Sequence, residues 1–196
     1  MPKLYTKTGD NGLTSLYDGS RLKKSSVFFD TLGDLDELAS HIGLLCAKIQ
    51  SDNDLSVSDL TVTHLYQLRE IQVKLLDIGS NIAVIDKKKK EKVPKLTDDD
   101  VKRVENWIDA CEYSNGKLTE FLVTGVGETD SQCHVCRSVS RRAERCMWRL
   151  NDDVEVDTII LKYMNRLSDF FFAFARNLVR GNEIKVSDIK KKLSSE

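Results

Sequence analysis

No run of apolar residues in this sequence is long enough to cross a bilayer, which excludes a helical membrane span within it. An excess of one charge is missing too. Lys and Arg number 30 against 31 Asp and Glu, a formal net charge of -1, whereas a protein that grips nucleic acid through bulk charge carries a clear positive excess. Neither nucleic acid nor membrane is an expected partner. The opening residues, Met1-Pro2-Lys3-Leu4-Tyr5-Thr6, lack the apolar core of a signal peptide and the arginines of an amphipathic presequence. A cytoplasmic location fits them; a mitochondrial one would need a presequence ahead of this chain. The 5 cysteines are an odd number, so complete internal pairing is excluded. Cys133 and Cys136 form a Cys-x-x-Cys pair around His134, but the second pair of a structural zinc site is absent, as is the βαβ context of a redox motif. No protein-held metal is expected, and reduced thiols in or near a core are. No repeat recurs at solenoid spacing. The 196 residues, 40% hydrophobic and 31% charged, fit one globular domain with a sizeable core.

What is present is concentrated in one stretch. Cys136-Arg137-Ser138-Val139-Ser140-Arg141-Arg142-Ala143-Glu144-Arg145 carries four arginines and one glutamate. Arg137, Arg141 and Arg145 recur every four residues and so share a helix face, with Glu144 within pairing reach of Arg141. Like charges at that spacing repel, so anionic partners must come from elsewhere in the fold or from a ligand. Arginine suits planar, bidentate contact with carboxylate or phosphate.

Around this helix, expected over 129–151, the spacing predicts four more. One begins near Gly33, with Asp34 as cap, Glu37 as its capping-box partner and an apolar stripe of Leu35, Leu38, Ile42, Leu45 and Ile49. A second covers about 59–85, followed by an exposed lysine-rich connection over 86–94. Thr97 opens a third, ending near Asn115-Gly116. The last runs from Asp157 through Leu178, with Gly181 as a natural terminator. Asn165, inside that hydrophobic helix, requires a hydrogen-bond partner if buried. Leu118–Val123 reads as a short strand or extended run that could wall a pocket with Phe121, and residues 182–196 read as a charged, fraying tail. Five helices with mostly short connections make an all-α bundle of antiparallel neighbours.

The N-terminal stretch Tyr5-Thr6-Lys7-Thr8-Gly9-Asp10-Asn11-Gly12-Leu13-Thr14-Ser15 is dense in glycine and hydroxyl groups. Its N–H groups, Thr8, Thr14, Ser15 and Lys7 could cradle a phosphate, although the P-loop spacing is absent. An ordinary surface turn is the alternative.

Four separated motifs together resemble the cobalamin adenosyltransferases of the propanediol-utilisation (PduO) type. They are Tyr5–Gly12 with Thr14-Ser15, Gly33-Asp34-Leu35-Asp36-Glu37-Leu38, Ser140–Arg145, and Asn165-Arg166-Leu167-Ser168-Asp169-Phe170-Phe171, and the likeness extends from residue 3 to about 180. The resemblance implies a five-helix, ferritin-like up-down bundle with an ordered N-terminal nucleotide-binding segment over 1–30. It implies a homotrimer with ATP between subunits, and transfer of the 5'-deoxyadenosyl group of ATP to cob(I)alamin with Mg²⁺ as cofactor. By resemblance, Thr6, Lys7, Thr8, Gly9, Asp10, Gly12, Thr14, Ser15 and Lys23 wrap the nucleotide. Arg141, Glu144 and Asn165 contact ATP, Arg137 pairs with Asp36 across the subunit boundary, and Phe121 keeps the lower ligand off cobalt. Arg142 and Asp169 lie within the same motifs. A corrinoid reductase and an adenosylcobalamin-dependent acceptor enzyme are the implied partners. A non-catalytic ATP- or corrinoid-binding chaperone would use most of the same residues. The chain departs from the family pattern at Thr124-Gly125-Val126-Gly127, where relatives carry a Pro-Gly-Gly-like turn, and at Gln132 and Cys133. These changes bear on the corrinoid side.

Overall fold

The computed structural model describes Tyr5 and residues 7–52, 59–179 and 181–195; the expectation for Thr6 lies outside the described residues. The chain is mostly helical. In order it forms β1 (Leu13–Ser15), β2 (Arg21–Lys23), α1 (Val27–Ser51), α2 (Asp59–Ile82), α3 (Lys87–Lys90), α4 (Asp98–Asn115), β3 (Leu122–Val123), α5 (Glu128–Asp153), α6 (Thr158–Leu178), β4 (Ile184–Lys185) and α7 (Val186–Leu193).

Five long helices appear where the apolar periodicity places them, with two corrections at the ends. Helix α1 starts at Val27, not near Gly33. Ser26 is its cap, its side chain accepting from the Phe28 N–H. Phe28 and Thr31 are buried, so the apolar stripe continues backwards past the Asp34–Glu37 pattern. Those two acids therefore sit inside the helix and are free to pair with another element. The second correction is the tail, which is docked and not frayed. β4 pairs antiparallel with β3, Leu122 opposite Lys185 and Val123 opposite Ile184. Beyond them the Val186 N–H donates to the Phe121 carbonyl at 3.1 Å, and Ser187 N–H to the Glu120 carboxylate at 3.2 Å. The apolar run before α5 thus has an edge whose unpaired backbone groups recruit the tail.

Thr97 opens α4 as expected. The Asp100 carboxylate accepts from the Thr97 N–H at 2.8 Å and its hydroxyl at 3.0 Å. Gly116 closes the helix with φ of 69°, a conformation costly for any residue with a Cβ.

Helix α5 packs between α1 and α6, with α4 against α6 and α2 against α1. Side-chain pairs give the directions. Thr31 and Lys48 of α1 meet Cys146 and Glu128 of α5, an antiparallel register. Glu144 and Cys133 of α5 meet Asn165 and Phe171 of α6, again antiparallel. Helices α4 and α6 run parallel, joined by Glu105–Arg166 and Asn115–Ala173. Lys74–Asp100 and Glu70–Arg103, both 2.9 Å, tie α2 to α4. The densest core lies under α6, where Tyr163, Phe170, Phe171 and Phe174 are fully buried and Phe170 stacks on Phe174 at 5.3 Å.

Candidate active site

The arginine helix owes its outward charge to what it buries. Cys136, Val139, Ala143, Cys146, Met147 and Leu150 face the core, which turns Arg141 and Arg145 to solvent and leaves Arg137 and Arg142 half-buried. Arg142 is fully engaged. Its Nε donates to Asp34 at 2.9 Å, and a second nitrogen donates to Glu37. Asp36, between those acids, is exposed and makes no ion pair among the described residues. Arg137 has a buried Nε with no hydrogen-bond partner. Among the described residues, neither of the two residues expected to pair has an ion-pair partner.

Glu144 does not take Arg141 as its partner. It accepts from the Asn165 Nδ2 at 3.0 Å. Asn165 Oδ1 accepts from Arg166 at 2.8 Å, and Arg166 Nε donates to Glu105 at 2.8 Å. This polar row crosses α5, α6 and α4 and fixes the Asn165 amide, which is exposed and not buried. Arg141 is left solvent-facing beside it, its guanidinium in no ion pair among the described residues; only its carbonyl is used, accepting from Arg145 at 3.1 Å. A free guanidinium next to an oriented amide and carboxylate offers an anion contact and directional hydrogen bonds at one place.

The N-terminal candidates occupy a hairpin and the turn leading into it. β1 and β2 pair antiparallel, Leu13 opposite Lys23, Thr14 opposite Leu22 and Ser15 opposite Arg21. Lys7 has φ of 60° and Gly12 of 76°, so the backbone doubles back with Thr8, Gly9 and Asp10 at the bend. Arg21 donates to the Thr8 carbonyl at 3.0 Å. A Cβ on Gly9 would stand 3.2 Å from the Lys24 Nζ, so glycine here lets an ammonium lie close against the main chain. Lys7, Thr8, Asp10, Gly12, Ser15 and Lys23 are exposed, with Gly9 and Thr14 half-buried. Cations, hydroxyls and a bent backbone in one exposed place fit a polyphosphate. Sequence reading did not single out Lys24; the Lys23-Lys24 doublet was the available signal. Within the chain the two groups rest on different supports: the hairpin meets the end of α2, where the Tyr17 N–H donates to the Ala83 carbonyl at 3.0 Å, whereas Arg141, Glu144 and Asn165 stand on α5 and α6.

Phe121 is 87% exposed just before β3, an aromatic ring held out by a strand whose backbone is occupied by the tail. The departing turn before α5 is organised by Asp130, a buried residue that sequence reading missed. Its carboxylate accepts from the N–H groups of Gly125, Val126 and Gly127. Gln132 donates to the His41 carbonyl at 3.1 Å, and the Cys133 thiol to the Phe171 carbonyl at 3.2 Å; both residues therefore have structural roles. Two grooves flank the helices. One of about 280 Å³ between α1 and α2 has Asp36 on its wall among Leu35, Ala39 and Leu75. The other, about 320 Å³, lies between α4 and α6, where Asp169 faces Glu105, Asp109 and Arg166.

All five cysteines are free and buried. Burial pushes the Cys136 thiol up to about 12 and that of Cys111 to about 11, so neither is a nucleophile. Burial, then the charge of Arg137, lowers the His134 pKa, which keeps that ring neutral. Among the described residues no group of three or more His, Cys, Asp or Glu could hold a metal, and no helix is long and apolar enough to cross a membrane.

A helical domain with a cationic hairpin and an arginine-lined helix matches one known family. The family model for cobalamin adenosyltransferase matches residues 4–178, and this chain belongs to that family. It is 39% identical over 174 residues to the corrinoid adenosyltransferase of Bacillus subtilis, covering 89% of this chain and 85% of that protein. It is 35% identical over 191 residues to the human corrinoid adenosyltransferase MMAB, covering 95% and 73%. Among solved structures, a PduO-type ATP:corrinoid adenosyltransferase from Lactobacillus reuteri superposes with a TM-score of 0.83 at 27% identity, covering 93% of this chain and 98% of that one. That structure is a phenylalanine-to-alanine variant complexed with cobalamin and ATP.

Proposed function

We propose that this chain transfers the 5'-deoxyadenosyl group of ATP to the cobalt of cob(I)alamin. The cobalt donates an electron pair to the 5'-carbon to form the cobalt–carbon bond, the carbon–oxygen bond to the phosphate chain breaks, and triphosphate leaves with the pair of that broken bond. Cobalt passes from the +1 to the +3 state. The nucleophile arrives already activated as substrate, so the protein needs no general base. This agrees with the raised pKa values of the buried Cys111 and Cys136 thiols, which supply no protein nucleophile. Its work is positioning and neutralisation of the departing charge.

The observation that carries this reading is the unpaired, exposed Arg141 beside the fixed Asn165–Glu144 pair. Arg141 takes the phosphate charge, and Asn165 with Glu144 orients the nucleoside. Lys7, Thr8, Gly9, Asp10, Gly12, Thr14, Ser15 and Lys23 enclose the polyphosphate, with Lys24 added from the geometry at Gly9. Mg²⁺ arrives on the triphosphate of ATP, whose oxygens it prefers to an all-protein cage. Phe121, exposed just before β3, supplies the apolar face that excludes the lower cobalt ligand in this reading. The five long helices form a ferritin-like bundle that alternates up and down along the chain; closing an odd number into a ring forces one parallel contact, here α4 with α6. Three such domains associate so that the hairpin of one meets α5 and α6 of the next, and Asp36 of one pairs with Arg137 of its neighbour. That pairing would give the buried Arg137 Nε a partner, which it lacks among the described residues.

The test is anaerobic incubation with chemically reduced cob(I)alamin and Mg-ATP. Photolabile adenosylcobalamin should form at a rate proportional to protein, and Arg141→Ala should slow it about a hundredfold, the value of a ~3 kcal/mol charge-assisted contact made in the transition state. Wild-type protein that binds ATP yet yields no product would refute transferase activity.

A further inference from the structure

The β1–β2 hairpin has three residues on each strand, and a lone two-stranded hairpin is marginally stable in water. Something must hold it against the helical body. Leu16 is buried and Leu22 packs partly against the core, but apolar contact alone does not fix where the hairpin points. Besides the Tyr17 N–H bond to the Ala83 carbonyl at 3.0 Å, the directional contacts cluster at the adjoining corner, on Asp18. Asp18 Oδ1 accepts from the Ser20 N–H at 2.8 Å, shaping the turn with Gly19 at φ of 89°. Its Oδ2 accepts from the Ile85 and Asp86 N–H groups at 2.8 and 2.9 Å. The Asp18 carbonyl accepts from the Lys89 Nζ at 2.7 Å, and the Asp86 side chain caps α3 by accepting from the Lys89 N–H at 3.0 Å. One carboxylate thus closes the turn and ties it to the chain between α2 and α3. The backbone donors of Asp86 and then Ser20 hold its carboxyl well below the usual carboxylate range.

We infer that Asp18 is a positioning residue for the nucleotide: it latches the turn end of the hairpin to the start of α3 and thereby sets where Lys7–Gly12, Lys23 and Lys24 at the open end meet the polyphosphate. The inference rests on the assignment of ATP to this hairpin. No part of the latch touches the reacting atoms. Its contribution is preorganisation, the ordering of a loop before the ligand arrives, and this acts on affinity more than on the chemical step.

Asp18→Ala removes all three side-chain bonds, and Asp18→Asn retains one good acceptor oxygen. The expected result for Asp18→Ala is a rise of about tenfold in KM for ATP, about 1.4 kcal/mol, with kcat at saturating ATP within about twofold of wild type. Asp18→Asn should fall between the two. Amide hydrogen exchange over residues 13–23 should quicken in Asp18→Ala while α5 and α6 keep their protection. Lys89→Ala, which removes only the bond to the Asp18 carbonyl, is the milder variant should Asp18→Ala fail to fold, with a smaller rise in KM and the same local loss of protection. Unchanged exchange over 13–23 in Asp18→Ala would overturn the latch. Faster exchange there with an unchanged KM would overturn its role in positioning ATP. Wild-type protein without ATP affinity would overturn the nucleotide assignment itself, and this inference with it.

Discussion

Asp130→Ala tests how the divergent turn before α5 is held. The side chain is buried, and it accepts from three successive backbone N–H groups, those of Gly125, Val126 and Gly127. Losing a capping carboxylate at a helix start costs about 1 kcal/mol. The remaining donors lie in exposed residues, so water can replace their acceptor and each adds well under the full penalty of a buried orphan. The total is ~2 kcal/mol, which for a chain of this size is a fall of roughly 4–8 °C in Tm. Asp130→Asn keeps one acceptor and should lose about half as much. Calorimetry reads the shift, and amide exchange should show it confined to the 125–131 region. The turn lies between Phe121 and α5, so corrinoid adenosylation should drop while ATP affinity stays near wild type. A Tm within 1 °C of wild type would refute the capping argument, and an equal loss of ATP affinity would refute its confinement to the corrinoid side.

Other consequences follow from the same geometry. At Asp100, burial opposes ionisation, but the hydrogen bonds from Lys74 and Thr97 outweigh it, and the carboxyl titrates below its usual value. A depressed carboxylate contributes stability that is present above its unfolded pKa and lost as pH falls towards the folded one. Asp100→Asn should therefore be less stable than wild type at pH 7 and show a shallower acid limb below about pH 4 in urea titrations; an identical limb would contradict the pairing. The five buried thiols should resist a thiol reagent in the native protein and all react in denaturant, since burial keeps the reagent from reaching them; rapid native labelling would show the packing to be wrong. Glu120→Ala should speed amide exchange in α7, because the Ser187 N–H loses its acceptor, whereas unchanged exchange would mean that the tail is held by β4 alone. Arg137→Ala should weaken association between subunits in sedimentation, and an oligomer identical to wild type would count against the Asp36 pairing.

The helices could be read from sequence because their burial follows a 3.6-residue period and because Thr97 and Asp100 form a cap within four residues. The start of α1 could not. Asp34 and Glu37 mimic a capping box, yet Phe28 is buried two turns earlier, and that tertiary burial outweighs the local pattern. The tail looked like a charged fringe because its docking depends on backbone pairing with β3, which leaves little trace in side chains. Asp18 and Asp130 went unrecognised for a related reason: their partners are main-chain N–H groups, and for Asp18 one of these lies 67 residues away. Within the candidate site, the motifs located Arg141, Glu144 and Asn165, but the intervening partner was misjudged. Spacing along one helix suggested Arg141–Glu144, and packing of α6 against α5 gives Glu144 to Asn165 instead.

The most direct measurement follows the fate of the 5'-carbon. ATP labelled there with carbon-13 is mixed anaerobically with cob(I)alamin and the protein, and the product is read by NMR alongside released phosphates. The account predicts the label in a light-sensitive cobalt–carbon bond, with one triphosphate for each adenosyl group transferred. Label that stays in ATP, or release of phosphate and diphosphate from ATP without a cobalt-bound product, would contradict it.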